Sequence, residues 1–298
     1  MSLCGPKAVG LDIHFEEPTE DDSRLLGALQ SVPNLVLPLG LASEGDRFRI
    51  DDKPFFYGQI PDVTYGAINV PTATTKSSIR EYAVNFPMEK GSLPSFVTAL
   101  ANKYDQEAVS ELMSRGNKVE TTAYHSREYR IYGLEEMADR AEEFTDKVVL
   151  VGSMSDASDM HPTPINSYVP GLMIHANALS TLLDREWYRS LPRYADYVLA
   201  FAICFLIVLA TVGIKGGIRG FIVRILQIVL AYCAVRVGYS LFVDKHIVCN
   251  FSHTLLMIAF GLFAVDIWNG GAAIISMIAK NIKKLKHKRE KTEICESY

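Results

Sequence analysis

Two stretches of this chain hold most of the side chains able to do chemistry. One carries Asp12, at the end of the apolar run Ala8-Val-Gly-Leu-Asp12. The other begins at Ser153, continues through Asp159-Met-His161-Pro-Thr163, and ends at His175 and Asn177. Carboxylate, hydroxyl, imidazole and amide groups in such a pattern suit a polar ligand. Other chemistries compete for the same residues. Ser153 with His161 or His175 would supply the nucleophile and base of a hydrolase, but no strained nucleophile elbow surrounds the serine. Asp159 and His161 suit a metal ion, yet no third ligand stands at ligand spacing. Each residue also has a structural reading: Asp159 as a turn cap, Thr163 as a loop brace, Asn177 as a tie between loop and helix, and His175 as a core histidine. The ligand-binding candidates are therefore Asp12, Ser153, Asp159, His161, Thr163, His175 and Asn177. No catalytic residue, metal site or cofactor is expected.

Positioning these groups requires a sheet. Ala8–Phe15 reads as a largely buried strand. Thr19 with Asp22 resembles a capping box opening a helix whose apolar face is Leu25, Leu26 and Leu29. Leu35–Leu39 is the next strand, which makes the opening a β-α-β unit with a parallel pair. Residues 40–64, rich in Gly, Pro and polar groups, read as an irregular excursion. Residues 65–70 and 79–86 follow as strands. A helix begins near Pro94 or Ser95, charged helical patterns run to about Arg115, and more recur at 134–144. Lys147–Gly152 is apolar on consecutive residues, as in a parallel strand covered on both faces. In open parallel sheets ligands bind beyond the carboxyl ends of the strands. If the first strand and 147–152 are neighbours, Asp12 and the 153–163 groups meet at one rim. The start of the helix carrying His175 would be an anion site through its free N–H groups.

Composition changes at Tyr194. Residues 1–193 hold 18 basic and 28 acidic residues, a net charge of −10, and the remainder carries +6. An acidic domain of this kind excludes a nucleic-acid partner. Five scattered cysteines define neither a disulfide framework nor a zinc site. Three apolar stretches, about 195–214, 218–243 and 254–279, are each long enough to cross a bilayer. The first connection carries Lys215 and Arg219, and the tail 280–298 carries seven basic residues from Lys280 to Lys291. The positive-inside bias puts both in the cytoplasm and residues 1–193 outside. Within the stretches, Arg224, Arg236 and Asp266 are the ionisable groups at membrane depth. Either arginine pairs with Asp266 in the bundle interior, or both reach their nearer headgroups.

In order along the chain, Gly10-Leu-Asp-Ile-His-Phe-Glu-Glu-Pro18, a Val-Leu-Pro strand, Gly66-Ala-Ile-Asn-Val70 before Ile79-Arg80, Lys147–Gly152, Asp159–Pro164 and Pro170–Asn177 resemble the second class of CHASE domains. These are extracytoplasmic sensory domains of bacterial cyclases and histidine kinases. The segment 147–183 is the specific part of the likeness. The resemblance implies an α/β domain with a mixed, mostly parallel sheet and helices on both faces, followed by a three-helix transmembrane bundle. It also implies a multi-pass protein of the cell membrane that binds a small molecule outside and is not itself an enzyme. Such domains are flanked by one N-terminal and three C-terminal spans and feed a cytoplasmic effector. Against that pattern the chain is expected to be an N-terminally shortened version that lacks the first span and the first strand-helix unit. The alternative is that the domain stays inside, against the charge bias. About 20 residues follow the last span. Output is then expected through a cytoplasmic or membrane partner. An envelope scaffold that docks another protein is the alternative, and a hydrolase-like enzyme a weaker one.

Overall fold

The computed structural model describes residues 5–15, 17–71, 78–124, 128–137, 139–213, 219–260, 267, 271 and 274–282. It divides into two units, Met1–Trp187 and Tyr188–Tyr298.

The first unit is a mixed α/β domain. Strand β1 (Ala8–Asp12) leads through helix α1 (Asp22–Gln30) to the long strand β2 (Leu35–Glu44). At the start of α1, the Asp22 carboxylate accepts from both the N–H and the hydroxyl of Thr19 at 2.9 Å, as half of a capping box does. β2 turns at Gly45, where φ is +63°, into β3 (Arg47–Asp52). β4 (Thr64–Ala67) follows, and β1, β2 and β4 pair in parallel. The expected irregular stretch at 40–64 is thus corrected. Its first part is an antiparallel hairpin, β2 with β3, whose alternating Phe48 and Ile50 pack on a small core with Leu41 and Phe86.

The expected strand at 79–86 is instead two short pieces with different partners. β5 (Glu81–Ala83) pairs with β8 (Val119–Thr121), and β6 (Asn85–Pro87) with β7 (Ser92–Pro94). Helices α2 (Phe96–Tyr104) and α3 (Gln106–Ser114) lie between β7 and β8. Each is N-capped by a side chain: Ser95 accepts from Thr98 N–H and Asp105 from Ala108 N–H. The expected helix at 134–144 is two separate 3-10 turns, at 134–136 and 141–144. β9 (Val148–Gly152) then pairs with β1 in parallel, and a two-stranded ribbon of β10 (Met160–His161) and β11 (Val169–Pro170) opens into α4 (Gly171–Leu183).

Strand periodicity explains the two cores. Val9, Leu35 and Leu37 face one way and pack with Leu25, Leu26 and Leu29 of α1. Ala8, Val36 and Leu150 face the other way and pack with Phe96 and Leu100 of α2 and Leu179 and Leu182 of α4. Helices therefore cover both faces, and burying each such Leu or Phe contributes roughly 1.5–3 kcal/mol. Gly66 lets α2 approach: a Cβ there would lie 2.6 Å from the Phe96 Cα.

The second unit contains a short parallel pair, β12 (Arg189–Ser190) with β13 (Ile247–Val248), and helices α5 (Arg193–Gly213) and α6 (Arg219–Lys245). Residues 252–260 and 274–282 are also helical. Ile203, Ile207 and Ile258 form a core against Leu230, Ala231 and Ala234. Asp196 caps the helix at 252, accepting from the N–H groups of His253 and Thr254. Among the described residues one helical stretch, Arg224–Lys245, is long and apolar enough to cross a membrane, and Tyr194–Leu209 is a shorter apolar one. The side chains of Arg224 and Arg236 are exposed on α6. Asp266 lies outside the described residues.

Candidate functional site

Strand register brings the rim together. In the β1–β9 pair, Asp12 stands opposite Gly152, so Asp12 and Ser153 leave the sheet at the same end. β2 runs on past this end, and its pairing with β3 shifts register between Gly40 and Leu41. Asn69 fills the gap in the ladder, its amide accepting from the Leu41 N–H and donating to the Leu41 carbonyl, both at 2.8 Å. This bulge, which bends the strand locally, sets Asp52 against Gly40.

The result is an open cleft of about 950 Å³ lined by Asp12, Ser153, Asp159, His161 and His175, with Asp51 and Asp52 of β3 facing them. Its size lies within the range of small-molecule sites, about 300–1,000 Å³. Five of the seven residues singled out from the sequence therefore share one cavity.

Asp159 is the organising group. One carboxylate oxygen accepts from the Gly171 N–H at 3.1 Å, and the other lies 3.1 Å from His161 Nε2. The contact needs a glycine, because a Cβ at 171 would fall 2.5 Å from both oxygens. Pro170 offers α4 no side-chain cap, so Asp159 supplies one from twelve residues away. The expectation that the start of α4 is open to an anion is corrected here: the chain's own carboxylate occupies it.

His175 is 8 % exposed and packs edge-on against Phe96, with ring centroids 5.4 Å apart. Burial holds its imidazole below the usual histidine range. The carboxylates of Asp12 and Asp159 act against that shift, and His161 adds to it. Burial likewise pushes the Asp12 carboxyl up; His175 opposes the rise and Asp159 reinforces it. Desolvation favours the neutral form in both. Among the described residues, no hydrogen bond reaches the His175 ring. Asp156, at the cleft's edge, has its carboxyl lowered by the Ser158 hydroxyl and N–H.

Ser153 Oγ accepts from the N–H groups of Ser155 and Asp156. Among the described residues it bonds to neither histidine, so the pair a hydrolase needs is not assembled. No group of three His, Cys, Asp or Glu side chains there could hold a metal ion.

Thr163 and Asn177 point elsewhere. Thr163 Oγ1 donates to the Asn166 carbonyl at 3.0 Å and accepts from its N–H at 3.2 Å, closing the loop between β10 and β11. Asn177 donates to the Met173 carbonyl at 2.7 Å and accepts from the Tyr129 hydroxyl at 3.3 Å. Both serve as braces. The groups that sequence reasoning missed are Asp51, Asp52 and His14, whose Nδ1 contacts the Asp52 carboxylate. The hairpin signal at Glu44-Gly45-Asp46-Arg47, before alternating Phe48 and Ile50, would have found β3 and its two aspartates.

The family model of the CHASE2 domain matches residues 1–212. The chain belongs to the CHASE2 domain family. CHASE2 is an extracytoplasmic sensory domain of signalling proteins and not a catalytic one. Comparison with curated proteins and with solved structures finds no match. The CHASE2 match extends past Trp187 into α5, so the family segment includes the first apolar helix of the second unit.

Proposed function

We propose that this CHASE2 domain is the ligand-binding half of a membrane-anchored bacterial sensor, that it takes a small polar molecule in the cleft at the ends of β1 and β9, and that its output passes to a partner protein. The observation that carries this reading is the convergence of Asp12, Ser153, Asp159, His161 and His175 on one open cavity. A packed rim would have favoured a purely structural role. Ligand binding shifts such a sensor only as far as affinity differs between its states.

Anchoring draws on the second unit. Phe201, Phe221, Ile228 and Tyr232 are largely exposed on α5 and α6, as side chains that meet lipid are. The proposed arrangement has three spans, the CHASE2 domain outside, and the basic tail from Lys280 in the cytoplasm. A scaffold role has its own support in the exposed Ile131, Leu134 and Tyr168 of the first unit, which would serve to dock an envelope protein.

Thermal unfolding of the full chain against pools of small metabolites tests the reading. At least one pool should raise the unfolding temperature, and Ile13→Trp, which fills the cleft from an exposed wall position, should abolish the rise. A rise that survives Ile13→Trp, or no rise from any pool, would sink the cleft as the sensory site and favour the scaffold.

A further inference from the structure

The cleft also carries information about the charge of what it binds, an inference that rests on its being the ligand site. Among the described residues five carboxylates line it, Asp12, Asp51, Asp52, Asp156 and Asp159, and no lysine or arginine does. Arg49 pairs with Asp51 from an exposed position outside the lining, at 2.9 Å. An anionic ligand would meet this field with no lysine or arginine among the described residues of the wall to offset it. It would also find the start of α4 already taken, since Asp159 accepts the Gly171 N–H.

A single metal ion fits no better, because no three potential ligands converge among the described residues. The carboxylates are distributed around the cavity instead, on β1, on β3 and on the loop after β9. Such a distribution matches a ligand whose positive charges are themselves spread out.

His175 adds an independent pointer. Its side chain is more than nine-tenths buried, borders the cleft, and makes no hydrogen bond to the protein among the described residues. A neutral imidazole has one nitrogen lone pair that accepts an N–H, and burial keeps this ring from taking up a proton. A bound ammonium or amine group would satisfy it.

We propose that the cleft recognises an organic polycation of the polyamine type, with ammonium groups held by Asp12, Asp52 and Asp159 and one N–H donated to His175. Charge-assisted hydrogen bonds of this kind are the strong ones. The selectivity against anions comes from the carboxylate that closes the helix N-terminus.

Calorimetric titration of the full chain in nanodiscs of uncharged phosphatidylcholine tests this, at an ionic strength that screens diffuse surface attraction. The probes are spermidine, citrate and glucose. Spermidine should bind saturably, one per chain. Asp12→Asn and Asp52→Asn should each weaken it at least tenfold, while Glu135→Gln, away from the cleft, should not. Both Asn variants should keep a cooperative unfolding transition, which separates lost binding from lost fold. Failure of spermidine to saturate, or affinity unchanged by both Asn variants, would overturn the polycation. Citrate or glucose binding that Ile13→Trp removes would also overturn it while leaving the cleft as the ligand site.

Discussion

Truncating Asp159 tests how the rim is built. The carboxylate caps α4 through the Gly171 N–H at 3.1 Å and lies 3.1 Å from His161. Loss of a helix N-cap costs about 0.5–2 kcal/mol. For a domain of this size each kcal/mol lowers Tm by about 2–4 °C, so Asp159→Ala should lower it by about 1–8 °C. Asp159→Asn keeps an oxygen that accepts the N–H and should lose much less. Gly171→Ala should resemble Asp159→Ala, since its Cβ would displace the carboxylate. The vacated N–H groups then become an anion site, so sulfate should raise the Tm of Asp159→Ala more than that of the parent chain. Scanning fluorimetry of the full chain in detergent reads all four. Equal losses for Ala and Asn with no sulfate response would refute the cap. A loss above about 4 kcal/mol would be too large for one.

Asp12 and His175, which both line the cleft, predict opposite pH effects. Asp12, raised by burial, binds its proton more tightly folded than unfolded, so its contribution to stability is fully present below the unfolded pKa and is lost as pH rises through the folded pKa. Asp12→Asn should therefore stabilise the domain near neutrality and make no difference at low pH, as denaturant titrations across pH would show. His175, lowered by burial against Asp12 and Asp159 and with help from His161, binds fewer protons folded. Stability should fall as pH drops below about 6.5, and His175→Gln should flatten that part of the profile. A fall of the same size in the variant would remove His175 as its cause. Glu120→Ala removes a buried carboxylate that pairs with Arg115 at 2.7 Å and accepts from Asn117 at 2.9 Å. Breaking such a pair costs about 3–5 kcal/mol. The lower figure is expected because Arg115 still stacks on Trp187, and a change under about 1 kcal/mol in urea unfolding would contradict the assignment. Protease added outside cells making the protein should digest the CHASE2 domain and spare the tail from Lys280. Protection of the domain would overturn the topology.

Much of the rim was legible because strands announce themselves by apolar runs. Ala8–Asp12 and Val148–Gly152 are continuous runs, and continuous runs fit strands buried on both faces, so their adjacency brought Asp12 and Ser153 to one end. β3 was hidden because only Phe48 and Ile50 of its six residues are apolar and the residues around it are turn formers. With it went Asp51 and Asp52. The separation of His175 from Asn177 follows from helix geometry, since two residues span about 200° around the axis, and His175 faces the cleft while Asn177 faces Tyr129. No sequence pattern shows that Asp159 folds back onto Gly171. That contact depends on the path of the β10–β11 ribbon and on the space that a missing Cβ leaves.

Hydrogen exchange of the full chain, with and without the metabolite pool that stabilises it most, tests the sensory cleft most directly. Added protection is expected at Asp12–His14, at Gly152–His161 and over the first turns of α4 around His175. Protection confined to the exposed surface around Leu134 and Tyr168, or to the second unit, would contradict it.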